Sequence, residues 1–186
     1  MPTRSKLFAH AILACCFFLA AGMAQPSDAV EIIAHRGASH SAPENTVAAV
    51  ELAWQRGADA VEFDVWLTAD GRIVGLHDET TERTTGKNWT VGKKTFDELR
   101  SLDAGSWKGP AWAGEKIPSL AELLATIPEG KRVFIEIKDD VRLVPELLRV
   151  LKASGKRPEQ TAVILSLIHI SEPTRPAPLS RMPSSA

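Results

Sequence analysis

Apolar and polar positions along this chain alternate between a period of two and a helical period, and the two patterns take turns. The first strand-like run, Val30 to Ala34, stops at His35-Arg36-Gly37. The second, Ala60 to Leu67, carries Glu62 and Asp64 two residues apart. Strand side chains alternate faces, so both carboxylates are expected on one side, with Val61, Phe63 and Val65 on the other beneath a helix. Between the runs, Val47, Val50 and Trp54 form a helical apolar stripe. Ser41-Ala42-Pro43-Glu44 reads as its capping box, with Pro43 in the first turn, and Gly57 as its stop. Strand, helix, strand over this length is a βαβ unit, which implies a parallel sheet.

The same design recurs downstream. Thr95 to Glu98 and Ser119 to Glu122 are further capping boxes, the second opening a helix that stops before Pro128. Arg132 to Lys138 reads as a strand with Glu136 and Lys138 on one face and Val133, Phe134, Ile135 and Ile137 as apolar bulk. Pro145 fits the first turn of a helix to about Ala153, and Thr161 to Leu165 begins a fourth parallel strand. A shorter run, Ile73 to Leu76, ends at His77, and the polar stretch Asp78 to Thr85 reads as a solvated loop.

The chemistry concentrates where strands end. Two acids inside an apolar run are costly to bury unless a cation compensates them, and hard oxygen ligands at this spacing suit Mg²⁺ or Ca²⁺. His35, Arg36, Glu62, Asp64 and His77 can all gather at the C-terminal strand ends, where parallel α/β sheets place their active sites. A plainer reading of Glu62 and Asp64 is a buried ion pair with Arg36 or Lys138. Glu44 divides between a helix cap and support of the site. Two histidines beside three strand-face carboxylates favour the chemical reading.

From Val30 to about Leu165 the chain resembles the glycerophosphodiester phosphodiesterase family. The matching motifs are HRG (His35 to Gly37), PENT (Pro43 to Thr46), EFD (Glu62 to Asp64) and LHD (Leu76 to Asp78). GEKIPSL (Gly114 to Leu120) and FIEIK (Phe134 to Lys138) follow in the same order. The resemblance implies a TIM (β/α)₈ barrel that hydrolyses glycerophosphodiesters to an alcohol and glycerol 3-phosphate with a divalent metal. It implies Glu62, Asp64 and Glu136 as metal ligands, His35 and His77 as the acid/base pair, and Arg36 and Lys138 as phosphate contacts. Glu44 and Asn45 would help shape the site. The loop with Trp107, Gly109, Pro110 and Trp112 resembles an insertion over the barrel mouth. Two other readings stand beside this one: a related phospholipase-type phosphodiesterase on a similar barrel, and a fragment that binds metal or phosphate without turnover.

Length and composition bound this picture. The chain has 186 residues, 44% of them hydrophobic, against about 250 for a typical eight-stranded barrel. The expected fold is therefore an α/β barrel truncated after about four strands. A net charge of −1 carries no basic signature for nucleic acid or anionic lipid. The expected partner is a small-molecule diester, with no nucleic acid and no stable membrane span in the mature chain. Residues 1–24 read as a secretory signal, with Arg4 and Lys6 before an apolar run and Gly22-Met23-Ala24 as the cleavage site. Cleavage would take the charge from −1 to −3, remove both cysteines, Cys15 and Cys16, and send the protein to the periplasm or outside the cell. Ile12 to Cys15 also resembles a lipoprotein box, the lesser reading. Residues 25–165 would be the partial barrel. Residues 166–186 crowd Pro173, Pro176, Pro178 and Pro183 without periodicity, which excludes a continuing helix or central strand. Leu165 to Arg175 resembles a translated sequencing adapter, so the tail is expected to be non-native and unstructured, with no role for His169 or Glu172. A half barrel leaves open sheet edges, so poor folding and little activity are expected of this exact chain.

Overall fold

A computed structural model describes residues 30–165. The stretch read as a secretory signal, with its cysteines, and the proline-rich tail lie outside the described residues.

Five strands form one sheet: β1 (Ile33–His35), β2 (Ala60–Leu67), β3 (Ile73–Gly75), β4 (Arg132–Ile137) and β5 (Thr161–Leu165). The order β1-β2-β4-β5 is parallel throughout. Helix α1 (Val47–Gln55) links β1 to β2, α4 (Leu120–Ala125) precedes β4, and α5 (Val144–Ser154) links β4 to β5. These are the repeated βα units of a barrel wall, and four of its parallel strands are present. β3 departs from the pattern. It runs antiparallel along Val65 to Leu67, while β1 takes Ala60 to Glu62. Both lie on the edge of β2 that β4 leaves free.

Register follows the period of two. His35 lies beside Glu62, and Asp64 lies beside Glu136. The alternate positions form the helix-facing core: Val61, Phe63, Val65, Val133 and Ile135 are fully buried, packed with Leu123, Leu124 and Leu143. Burying one such side chain contributes about 1.5–3 kcal/mol, so this face anchors the sheet and leaves the other free for polar residues. A second core beneath the segment between β3 and α4 joins Val74, Val91, Leu99 and Ile117. β5 is paired on one edge only among the described residues, with Val163 and Leu165 exposed. No described helix is long and apolar enough to cross a membrane.

Helix starts follow the cap chemistry in most cases. Helix α3 (Phe96–Arg100) and helix α4 open on reciprocal capping boxes, Thr95 with Glu98 and Ser119 with Glu122. Helix α5 carries Pro145 in its first turn and ends on left-handed Gly155. Helix α1 corrects the sequence reading. Its N-cap is Thr46, whose Oγ1 accepts the Ala49 amide, rather than Ser41. Asn45 just before it adopts φ +58°, which breaks any helix started at Ser41 and releases Glu44 for other contacts. The stretch after His77 is also no plain solvated loop, because it holds helix α2 (Glu82–Thr85) with Thr81 and Thr84 buried.

Candidate active site

The polar face of the sheet gathers three carboxylates: Glu62 of β2 beside the end of β1, and Asp64 of β2 beside Glu136 near the end of β4. Glu62, Asp64 and Glu136 each offer one oxygen, all within 4.8 Å of one another. Asp64 is fully buried and Glu62 nearly so. Burial pushes the Glu62 carboxyl up to about 7; the Asp64 charge and then Glu136 add to the rise, and the Arg36 amide opposes it. Glu62 Oε1 and Asp64 Oδ1 are buried without a hydrogen-bond donor. Unsatisfied buried acceptors are rare in native proteins, and two in one cluster of acids form the donor set that a hard cation satisfies. The residues present therefore fit a divalent metal.

The loop between β1 and α1 wraps this cluster. Arg36 takes φ +56°, which turns its amide onto Glu62 Oε2 at 3.0 Å. Gly37 follows at φ +75° and packs so closely that a Cβ there would lie 2.6 Å from the Ala49 carbonyl carbon. Gly37→Ala is expected to destabilise the fold by about 2 kcal/mol or more, through strain and a backbone clash. Thermal unfolding checks this, and a melting temperature within about 1 °C of the parent would refute it. Asn45 clamps Asp64 from the same loop: its Nδ2 donates to Asp64 Oδ2 at 2.9 Å, and its Oδ1 accepts the Asp64 amide at 3.1 Å.

Cations ring the acids. Arg36 Nε lies 3.2 Å from Asp64 Oδ2, close enough for charge but not aligned as a hydrogen bond. Its Nη1 donates to Glu44 Oε1 at 3.1 Å. Lys138 Nζ donates to Glu136 at 2.6 Å and lies 3.3 Å from Asp64 Oδ1. The ion pair weighed as the plainer reading is thus present at Asp64, and it leaves the Glu62 oxygen unsatisfied.

His35 Nε2 lies 3.8 Å from Glu62 Oε2, and its side chain is 66% exposed. His77 is placed by its own backbone, whose carbonyl accepts the Trp66 indole N–H at 3.1 Å, and by the preceding Leu76 amide on the Asp64 carbonyl. Its Nδ1 lies 2.6 Å from Asp78 Oδ1. Asp78 lies below its usual carboxylate range: burial raises it, but hydrogen bonds from Arg83 and His77 outweigh that. An ionised carboxylate only accepts, so His77 donates Nδ1–H to Asp78, and in the neutral tautomer this selects, Nε2 carries the lone pair. All nine residues singled out in the sequence lie in this one region. Asp78, quoted only within the LHD motif, has no role of its own in the sequence reading, which places Arg83 in a solvated loop.

A cleft of about 500 Å³ lined by Glu51, Arg100, Lys116 and Glu122 contains none of the clustered residues. Among known proteins, residues 35–152 match the glycerophosphoryl diester phosphodiesterase family. A glycerophosphodiester phosphodiesterase of Caldanaerobacter subterraneus is 42% identical over 145 residues, covering 75% of this chain and 59% of the relative. The crystal structure of glycerophosphodiester phosphodiesterase from Agrobacterium tumefaciens superposes with a TM-score of 0.68 at 36% identity, over 74% of this chain and 58% of that one. An Oleispira antarctica phosphodiesterase in complex with the product sn-glycerol-3-phosphate gives 0.66 at 38% identity, over 73% and 56%. The chain thus spans somewhat over half the length of each of these relatives. On these matches, and with the acid cluster in place, the chain belongs to the glycerophosphoryl diester phosphodiesterase family.

Proposed function

We propose that this segment carries the catalytic face of a divalent-metal-dependent glycerophosphodiester phosphodiesterase, which yields an alcohol and sn-glycerol 3-phosphate. The observation that carries the reading is the convergence of Glu62, Asp64 and Glu136 within 4.8 Å on neighbouring parallel strands, with Glu62 Oε1 buried without a donor and Asp64 Oδ1 facing only the Lys138 charge. These three would hold Mg²⁺ or Ca²⁺, which when bound supplies Lewis-acid neutralisation of phosphoryl oxygen charge. Arg36 brings a planar fork of donors for the same anionic oxygens, and Lys138 brings a point charge. Asn45 fixes the Asp64 carboxylate so that it does not rotate away. His77, with Nδ1–H committed to Asp78, presents Nε2 for proton transfer. His35 is the second member of that pair. One imidazole takes the proton of the attacking hydroxyl and the other protonates the departing oxygen, the two roles that the paired nitrogens of an imidazole allow.

Incubation with sn-glycero-3-phosphocholine and Mg²⁺ or Ca²⁺ tests this. The expected result is release of glycerol 3-phosphate that a chelator stops. Cation binding with no release under either metal would instead assign a metal- or phosphate-binding role without turnover.

A further inference from the structure

We propose that Arg83 is a positioning residue for the reaction, braced on Glu44 and acting through Asp78 on the His77 ring. This rests on the phosphodiesterase reading of the site. The guanidinium uses all three of its nitrogens. Nη1 and Nη2 donate to the two oxygens of Glu44 at 2.9 and 2.7 Å, and Nε donates to Asp78 Oδ2 at 2.6 Å. The other Asp78 oxygen meets His77 Nδ1, and Glu44 Oε1 also takes Arg36 Nη1. One planar cation therefore joins the loop that follows β1 and its terminal His35 to the loop after β3 that carries His77.

The platform beneath Arg83 is well fixed. Thr81 is fully buried, its amide donates to the Trp89 carbonyl and its hydroxyl to the Lys87 carbonyl. Gly86 closes the short helix at φ +71° with its amide on the Glu82 carbonyl. An ordinary surface ion pair contributes about 0–1 kcal/mol, and for stability alone this partly exposed arginine matters little. Its geometry serves another purpose. Arg83 keeps Asp78 ionised and locked in rotation, so Asp78 can only accept the Nδ1–H of His77, and the Nε2 lone pair stays directed away from it. The same ion pair, against the opposing effect of burial, holds Glu44 below its ordinary range. Lysine cannot reproduce the three-point fork.

The test uses the full chain with ¹⁵N-labelled histidine, titrated with base until the ring shifts stop changing. The parent is expected to show His77 as the Nδ1–H tautomer, assigned by comparison with His77→Gln. Arg83→Gln and Arg83→Lys are both expected to move it toward the Nε2–H form. With sn-glycero-3-phosphocholine and Mg²⁺, kcat should fall about 10–100-fold while KM stays within about threefold, as for a displaced catalytic group. Asp78→Asn should show the same loss, and adding Arg83→Gln to it should cost nothing further, because both act through one ring. A purely structural arginine would instead lower the melting temperature and leave the tautomer unchanged, and that result overturns the proposal. If the tautomer shifts as expected but the parent releases no glycerol 3-phosphate, the positioning stands and the phosphodiesterase reading falls.

Discussion

His77→Ala is expected to lower kcat for glycerophosphodiester hydrolysis by about 10²–10⁴-fold, with cation binding retained. The reason is the division of labour between the two ring nitrogens. Nδ1 is engaged by Asp78 at 2.6 Å, and Asp78 stays ionised under its Arg83 contact, so only Nε2 exchanges protons with substrate. The ring does not touch the three clustered carboxylates, which is why its loss should spare the metal. His35→Ala is expected to act in the same direction. Its ring is more exposed and its nearest charged partner is Glu62 at 3.8 Å, so its loss should also alter cation affinity modestly. Single-turnover rates, with metal binding followed by calorimetry, separate the two effects. Activity within a few fold of the parent in both variants would remove the histidines from the mechanism.

Asp64→Asn is expected to abolish the thermal stabilisation that Mg²⁺ or Ca²⁺ gives the parent. At about 100 times Kd a ligand of the native state adds about 2.7 kcal/mol, which for a protein of this size raises the melting temperature by roughly 5–10 °C. Asp64 is fully buried, shares the 4.8 Å cluster with Glu62 and Glu136, and has one oxygen that faces only the Lys138 charge, without an aligned hydrogen bond. Asparagine there keeps the volume but replaces that charged acceptor by a donor or a neutral oxygen. A melting temperature that still rises with cation in Asp64→Asn would place the metal elsewhere. Chelated protein carries a related signature in pH. The Glu62 carboxyl lies at about 7 in the folded chain against an ordinary 4.5. Between those values the native state binds a proton that the unfolded state has lost, so stability should fall as pH rises from about 4.5 through 7. Glu62→Gln should flatten that slope.

Much of this architecture was legible in the chain because it depends on near neighbours. Glu62 and Asp64 share a face since they are two apart in a strand, and the pairing of Asp64 with Glu136 only required β2 and β4 to be parallel in register. Capping boxes at Thr95 and Ser119 form because the cap and its Glu lie three residues apart. Where a local rule failed, a distant contact had displaced it. Ser41 and Glu44 have the capping-box spacing, but Arg83, thirty-nine residues on, holds Glu44, and Asn45 is drawn into φ +58° where its side chain grips Asp64.

By itself the sequence determined which side chains share a strand face, where three of the helices start, and which acids and histidines are brought to the same ends of the sheet. Periodicity and caps are set within one or two turns of backbone, so no tertiary information is needed to read them. Only the tertiary structure decided that β3 runs antiparallel on β2, that His77 Nδ1 meets Asp78, and that Arg83 joins the loop after β1 to the loop carrying His77. It alone also left oxygens of Glu62 and Asp64 buried without donors. Each of those facts is a matter of which polar group lies within about 3 Å of another across the fold, a distance that hydrogen bonding and charge respond to and that spacing along a chain does not encode.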